Sequence, residues 1–176
     1  VIIVMSAGQG VKGLILNEIS SFGDNWVQIE VKIPSASQSA QNVQDMASGV
    51  QITTLTLEDG EAIKRLGVVQ NVYAAITTQA VVSYDEEKTR PMVFGVSPEF
   101  IEIDSSKVAT GRFFNDSEDR ATASVIVLGS EVAEVLFGNL DPLGKHVSVS
   151  GKQYTVIGVR EPLGSSGFVN MDKIVY

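Results

Sequence analysis

Two alternating stretches near the end of the chain constrain its fold most strongly. In KHVSVS (145–150) and QYTVIGV (153–159), apolar and polar residues alternate with a period of two, and Gly151-Lys152 lies between them. This alternation is typical of half-buried β-strands, and a two-residue turn with glycine first is typical of a type II′ hairpin. The sequence therefore predicts an antiparallel β-hairpin at this point.

The rest of the chain adds short helices and further strands, without regular alternation of strand and helix. Strand patterns occur over 26–33 and 123–128, and a long hairpin with a charged turn at 85–90 is predicted within 68–96. The three predicted helices cover 10–22, the segment between Thr56 and Gly67, and 131–137. With about eight strands and three short helices in this order, the sequence predicts an α+β fold.

Three segments lack a periodic pattern. Residues 35–49 are rich in Ser, Gln, Asn and Ala, so we predict a flexible loop there. Residues 99–114 read as short and irregular, and 115–120 (NDSEDR) read as a charged loop. The carboxylates of this loop could attract Ca²⁺, but the turn-forming glycine and the late glutamate of a calcium loop are missing. A solvated loop or the cap of a short turn is the favoured interpretation.

Composition excludes several classes of function. Thirteen Lys and Arg oppose 21 Asp and Glu among 176 residues, which gives a net charge of −8 and argues against nucleic acid as a partner. The chain has no cysteine and a single histidine, His146, so thiol catalysis, Cys-ligated zinc and multi-His metal centres are excluded. We predict no catalytic residue, no cofactor-binding residue and no metal site.

One glycine motif favours a different function. Gly8, Gly10 and Gly13 form a G-x-G-x-x-G that opens the predicted helix, and Glu30 follows about 20 residues later. In an NAD-type dinucleotide-binding module, such glycines allow the pyrophosphate to approach the helix N-terminus, and the acid binds the ribose hydroxyls. The β-rich remainder does not supply a doubly wound sheet, so this module is kept as the alternative hypothesis.

Six stretches in the same order together resemble the extracytoplasmic core domain of MacB-type ABC transporter permeases. They are GQGVKGLILNEISSFGDNWVQIEV (8–31), LTLEDGEAIKRL (55–66), VFGVSPEFIEI (93–103), GRFF (111–114), VIVLGSEVAEVLFGNLDPLGKHVSVSGKQYTVIGV (125–159) and GSSGFVNMDKIVY (164–176). The resemblance covers most of the chain and is more specific than the glycine motif.

This resemblance implies two lobes and a stalk. A porter-like α/β lobe would comprise 1–84 with 153–176, and a second, mostly β lobe would comprise 85–152. The helix over 10–22 would continue a first transmembrane helix as a stalk, and Tyr176 would lie just before the second. The candidate stalk or interface residues are Val11, Leu14, Ile15, Ile19 and Phe22.

The resemblance also implies transmission of motion instead of catalysis. A separate ABC ATPase domain or subunit would hydrolyse ATP, and the movement would pass to this domain during export or extraction of a substrate. The implied partners are a second permease copy or paralogue and a periplasmic adaptor or lipoprotein, at the cell membrane on its extracytoplasmic side. A stand-alone extracellular interaction domain of related fold is a third hypothesis.

Overall fold

The computed structural model describes residues 27–29, 55–104, 107–166 and 169–176. Within these ranges the helices are α1 (Leu57–Lys64), α2 (Phe100–Ile103), α3 (Asp116–Arg120) and α4 (Ser130–Phe137). The strands are β1 (Ala75–Gln79), β2 (Val82–Tyr84), β3 (Glu87–Thr89), β4 (Met92–Val96), β5 (Val108–Gly111), β6 (Val125–Leu128), β7 (His146–Val149), β8 (Lys152–Arg160), β9 (Ser165–Ser166), β10 (Val169–Asn170) and β11 (Ile174–Val175). A 3₁₀ turn over Met171–Lys173 precedes β11. The predicted α+β class is confirmed.

Helices α1 and α4 confirm two of the predicted helices, and α2 and α3 were not predicted. The segments that contain α2 and α3 read as irregular and as a charged loop, because four or five residues carry no helical periodicity. Asn115 makes α3 possible, since its side chain accepts hydrogen bonds from the backbone N–H groups of Ser117 and Glu118.

The predicted hairpin near the end of the chain is confirmed, but its turn lies one residue earlier than expected. Val149 pairs with Lys152, so Ser150 and Gly151 form the turn. Both have positive φ, 48° and 89°, which is typical of a type I′ turn instead of type II′. Lys152 therefore begins β8.

The predicted long hairpin spans residues 75–96 and keeps one register along its length. Its first arm contains β1 and β2 and its second arm β3 and β4, with Ala75 opposite Val96 and Val82 opposite Thr89. The turn at Asp85-Glu86 is shorter than the predicted charged turn. The pairing of the two arms is interrupted where Pro91, which has no N–H to donate, is buried.

The strands of the large sheet form a closed path. Their order is β1-β4-β11-β6-β8-β7-β2-β3, with β5 pairing β8 beside this path. Both ends of the path belong to the same long hairpin. The hydrogen-bonded strands therefore close into a ring of six members, which are the two hairpin arms, β11, β6, β8 and β7. We call this closed set of strands the ring.

The ring is completed by a strand from the far end of the sequence. β11 runs parallel to β4, with Ile174 opposite Met92, and antiparallel to β6, with Val175 opposite Leu128. Beyond β11, Tyr176 and Val127 exchange backbone hydrogen bonds of 2.8 and 2.9 Å. Two strands distant in sequence are thus joined by the last residues of the chain.

Two hydrophobic clusters lie on opposite faces of the ring. The ring cluster contains buried side chains from α4 together with Val82, Ile126, Leu128, Val147, Val156 and Val175. The aromatic cluster contains Phe100, Phe113, Val127, Ile174 and Tyr176. Neighbouring residues of β6 and β11 belong alternately to the two clusters, so both faces of each strand are covered. Because both faces are buried, every residue of these strands is apolar.

Several predictions lie outside the described residues. These are the stalk helix over 10–22, the loop over 35–49 and most of the strand over 26–33. The division into two lobes stays a prediction, and the ring joins strands from both ranges. Within the described ranges, no helix combines the length and the apolar character needed to cross a membrane.

Candidate functional site

None of the residues singled out for function near the start of the chain lies in the described part. This applies to the candidate stalk residues and to the dinucleotide motif, which are Val11, Leu14, Ile15, Ile19, Phe22, Gly8, Gly10, Gly13 and Glu30. The candidate site is therefore built from what the described residues bring together. Side chains from α1, from β8 and from the end of the chain meet at α2 and the residues next to it.

Helix α1 lies on the surface and is held at both ends by polar contacts. At its start, the Asp59 carboxylate accepts hydrogen bonds of 2.8 Å from both the backbone N–H and the hydroxyl of Thr56. At its end, Lys64 donates a hydrogen bond of 3.1 Å to Glu99. No residue of α1 is buried, and Leu57 is 74% exposed. The sequence predicts an apolar stripe of Ala62, Ile63 and Leu66 for this helix, but only Ile63 is half-buried, and the other two residues are exposed.

The contact between Lys64 and Glu99 favours the charged form of both side chains. The hydrogen bond and the charge of Glu99 raise the pKa of Lys64. Partial burial acts to raise the pKa of Glu99, but hydrogen bonds from its own backbone, Ser97 and Lys64 lower it overall. Both side chains are partly exposed, so water screens their attraction and the pair contributes little to stability.

Helix α2 contacts the end of the chain, and Glu99, directly before it, contacts α1. Glu102 accepts a hydrogen bond of 2.9 Å from Asn71, in the segment between α1 and β1. The ring of Phe100 packs edge-on against Tyr73 at 5.2 Å between centroids and stacks on Tyr176 at 5.4 Å. Asp104 ends the helix, and its backbone N–H donates to the carbonyl of Phe100.

The side chain of Arg160, at the end of β8, is buried against α2. It is 2% exposed, and its Nη2 lies 3.1 Å from an Asp104 carboxylate oxygen, as an ion pair without the alignment of a hydrogen bond. The guanidinium carbon lies 4.7 Å from the centroid of the Tyr176 ring and 5.6 Å from that of Phe100. Nε and Nη1 have no hydrogen-bond partner in the described part of the chain.

Burying a cation against one carboxylate and two aromatic rings is costly in free energy. Removing a charged group from water costs several kcal/mol, which an ion pair and cation–π contacts offset only when their geometry is held fixed. Burial raises the pKa of Tyr176 to about 12, and the neighbouring Arg160 cation acts in the opposite direction. The phenol stays neutral at physiological pH, and the guanidinium lies over its ring.

A second group of polar contacts fixes the start of α4 to the segment before β11. The Asp172 carboxylate accepts hydrogen bonds of 2.7 and 2.9 Å from the backbone N–H groups of Leu163 and Gly164. Glu131 pairs with Lys173 and accepts from Asn170. Partial burial acts to raise the pKa of Asp172, but these backbone hydrogen bonds and one from Ser130 lower it overall.

The remaining sequence candidates do not form a catalytic group. His146 is exposed at the start of β7, with its Nδ1 3.2 Å from the hydroxyl of Thr155. In the charged loop, Glu118 pairs with Arg112 and Asp116 with Arg120. Within the described ranges, no group of three or more His, Asp or Glu side chains is arranged to hold a metal ion.

Sequence reasoning missed the Arg160 arrangement. A charged residue after the apolar stretch YTVIGV reads as the exposed end of a strand, and its partners lie in segments predicted as irregular or terminal. The available signal was the concentration of aromatic residues at 100, 113, 114 and 176 in a chain with 7% aromatic residues.

Comparison with known families shows the family to which the chain belongs. The model of the MacB-like periplasmic core domain matches residues 1–176. The chain belongs to this family. Membership makes it the extracytoplasmic domain of a MacB-like ABC permease, as the resemblance implied.

Relatives and solved structures agree with this assignment. The chain is 29% identical over 175 residues to the macrolide export ATP-binding/permease protein MacB of Neisseria gonorrhoeae, covering 99% of the chain and 26% of that protein. It is 28% identical to the uncharacterized ABC transporter permease YknZ of Bacillus subtilis, covering 98% of the chain and 41% of that protein. The chain thus spans less than half the length of these relatives.

Two crystal structures share the fold. The extracellular domain of the noncanonic ABC-type transporter YknZ from Gram-positive bacteria has a TM-score of 0.61 at 27% identity, over 69% of this chain and 61% of that one. The periplasmic region of MacB from Actinobacillus actinomycetemcomitans has a TM-score of 0.62 at 19% identity, over 71% and 55% of the two chains. At that identity the second match supports the fold alone.

Proposed function

We propose that this domain transmits ATP-driven motion in a MacB-like ABC transporter during the export or extraction of a substrate. In this proposal, a separate ATPase domain or subunit hydrolyses ATP. The domain stands outside the cell membrane between two transmembrane helices. It acts together with a second permease copy or paralogue, and a periplasmic adaptor or lipoprotein is its further candidate partner.

The position of β11 carries this proposal. Both edges of β11 are hydrogen-bonded, one to β4 and the other to β6, and the side chains of Ile174, Val175 and Tyr176 are 0–7% exposed. A displacement applied next to Tyr176 would therefore act on the middle of the ring and not on a frayed end. The stalk helix over 10–22 would provide the second connection to the membrane.

A distance measurement in the complete transporter tests the proposal. The chain contains no cysteine, so Leu140→Cys, at a side chain that is 63% exposed, gives a single labelling site in a permease whose other cysteines are replaced. Spin labels in both permease subunits should change their separation between the nucleotide-free state and ATP bound to a hydrolysis-deficient ATPase. A control with an ATPase that does not bind ATP should give one distance throughout.

The same experiment has a clear contrary outcome. If the distance distribution is identical in the nucleotide-free and ATP-bound states, the domain does not move with the ATPase and the proposal is wrong.

The dinucleotide alternative is tested separately. Ligand at about 100 times its Kd would stabilise the fold by about 2.7 kcal/mol and raise the melting temperature. We expect no shift with millimolar NAD. A shift that Gly10→Ala removes would favour the alternative over transmission of motion.

A further inference from the structure

We infer that α2, with Glu99 before it and Asp104 after it, is the joint that couples α1 to β11, and that Arg160 is the positioning residue that fixes this joint. The inference rests on the proposed function and deepens it, because it names the residues through which motion at one end of the chain reaches a surface helix.

The joint is short and has contacts on two sides. Within residues 99–104, Glu99 contacts Lys64 of α1 and Glu102 contacts Asn71. On the other side, Phe100 stacks on Tyr176 and Asp104 pairs with Arg160. A helix of four residues has no room to bend between its two sides, so a shift of one side moves the other.

The two sides of the joint differ in stiffness. The contacts with α1 and with Asn71 are exposed, and surface pairs of this kind hold their partners weakly. Arg160 is 2% exposed, and its charge requires Asp104 and the two rings to stay in place, because an unpaired buried cation is strongly unfavourable. The joint is therefore fixed to the end of β8 and to Tyr176, and the weaker contact of Glu99 with Lys64 is the route by which its displacement would reach α1.

This arrangement explains why a buried arginine stands where an apolar residue would fill the space. A methionine could pack against Phe100 and Tyr176, but it would not fix the position of Asp104 relative to β8. Apolar packing tolerates small shifts, whereas an ion pair between two ring faces favours one geometry. The main role of Arg160 is thus to fix the position of Asp104, and hydrophobic packing is secondary.

The test uses the full-length permease with its ATPase and two labelling sites. Leu66→Cys, 55% exposed just after α1, reports on α1, and Leu140→Cys reports on the domain as a whole. In the wild-type background, ATP bound to the hydrolysis-deficient ATPase should change both the mobility of the label at 66 and the distance between labels at 140. In Arg160→Met, the response at 66 should be lost and the response at 140 retained.

Arg112→Met is the matched control. Arg112 also pairs with a carboxylate, that of Glu118 at 2.6 Å, but its side chain is 55% exposed, whereas Arg160 is 2% exposed. It should leave both responses unchanged. If Arg160→Met does not give a folded permease, Lys64→Gln breaks the exposed side of the joint without touching the core, and it should also reduce the response at 66.

The outcomes separate the inference from the function on which it rests. If the label at 66 responds as strongly in Arg160→Met and in Lys64→Gln as in the wild type, the inference is overturned and the proposed function stands. It is equally overturned if the label at 66 does not respond in the wild type while the label at 140 does. If neither label responds in the wild type, the proposed function itself fails.

Discussion

Helices α1 and α4 are both eight residues long, yet they are held in the structure in different ways. Helix α4 buries four of its residues, Val132, Ala133, Leu136 and Phe137, against the ring. Helix α1 buries none and is held by the capping contacts of Thr56 and by the ion pair of Lys64. An equal length and a regular backbone therefore do not imply an equal share in the stability of the domain.

The difference follows from the size of the two contributions. Burying a leucine or valine side chain contributes about 1.5–3 kcal/mol, whereas an exposed ion pair contributes about 0–1 kcal/mol. Helix α4 should thus unfold only together with the ring, and α1 should open locally at much lower cost. A surface helix that opens and shifts at low cost is suited to follow the motion of a joint beneath it.

The largest expected difference comes from shortening one leucine in each helix. Leu136 is 3% exposed and Leu57 is 74% exposed. We expect Leu136→Ala to lower the free energy of unfolding by about 2–5 kcal/mol because it leaves a cavity, and Leu57→Ala to change it by less than about 0.5 kcal/mol. Urea unfolding of the two variants would measure both values, and equal losses would contradict the comparison.

A second pair of variants adds a methyl group to one glycine of each region. At Gly129, directly before α4, a Cβ would collide with the carbonyl oxygens of Asp172 and Ile174, while at Gly60, within α1, it would lie 3.7 Å from Val72. Gly129→Ala should destabilise the domain by about 1–3 kcal/mol. Gly60→Ala should stabilise α1 by roughly 0.5–1 kcal/mol, because alanine restricts the unfolded backbone.

Hydrogen exchange of the α1 amides and global unfolding together check this pair. The expected result is slower exchange in α1 for Gly60→Ala, with a nearly unchanged unfolding midpoint. A large rise of the midpoint would mean that α1 is part of the cooperative core.

Removal of the cap of α1 should have a smaller and local effect. In Thr56→Ala, the hydroxyl that donates to Asp59 is lost, while the backbone N–H of residue 56 can still donate. We expect a loss of about 1 kcal/mol in the local stability of α1, seen as faster exchange over 57–64 and no change over 130–137. Faster exchange in both helices would show that they open together.

The smallest predicted effect is a loss of α1 stability at acid pH. Hydrogen bonds from the backbone N–H and hydroxyl of Thr56 lower the pKa of Asp59 below its ordinary value. The stability that the ionised Asp59 gives to α1 is therefore complete above the unfolded-state pKa of about 3.9. It is lost as the pH falls through the lower pKa of the folded state. Cα chemical shifts of 57–64 should move toward coil values at acid pH, and Asp59→Asn should remove that dependence.

Local sequence patterns predicted the local elements of this fold and missed the distant contacts. The alternation around Ser150 and Gly151 predicted the β7–β8 hairpin, although the turn lies at Ser150-Gly151, where both residues have positive φ, and not at Gly151-Lys152. Thr56 and Gly67 indicated the two ends of the segment that contains α1. These signals lie within a few residues of the structure they specify.

The contacts of β11 and of Arg160 could not be found in this way. β11 is two residues long and pairs with residues that lie 47 and 82 positions earlier (175 − 128 and 174 − 92), and no periodicity encodes such a pairing. The burial of Arg160 depends on Asp104, Phe100 and Tyr176 meeting in space. The family resemblance supplied the function class, but it assigned no residue to this joint.

The place of β11 in the ring also determines the order in which the domain folds. The long hairpin and the β7–β8 hairpin close over short sequence distances, and such contacts form early because little chain entropy is lost. The ring, however, closes only when Ile174 and Val175 insert between β4 and β6. Until the ribosome has released these residues, β4 and β6 each have one unpaired edge and the aromatic cluster lacks Tyr176. The protein therefore has to reach its native core after synthesis of the domain is complete and not during it.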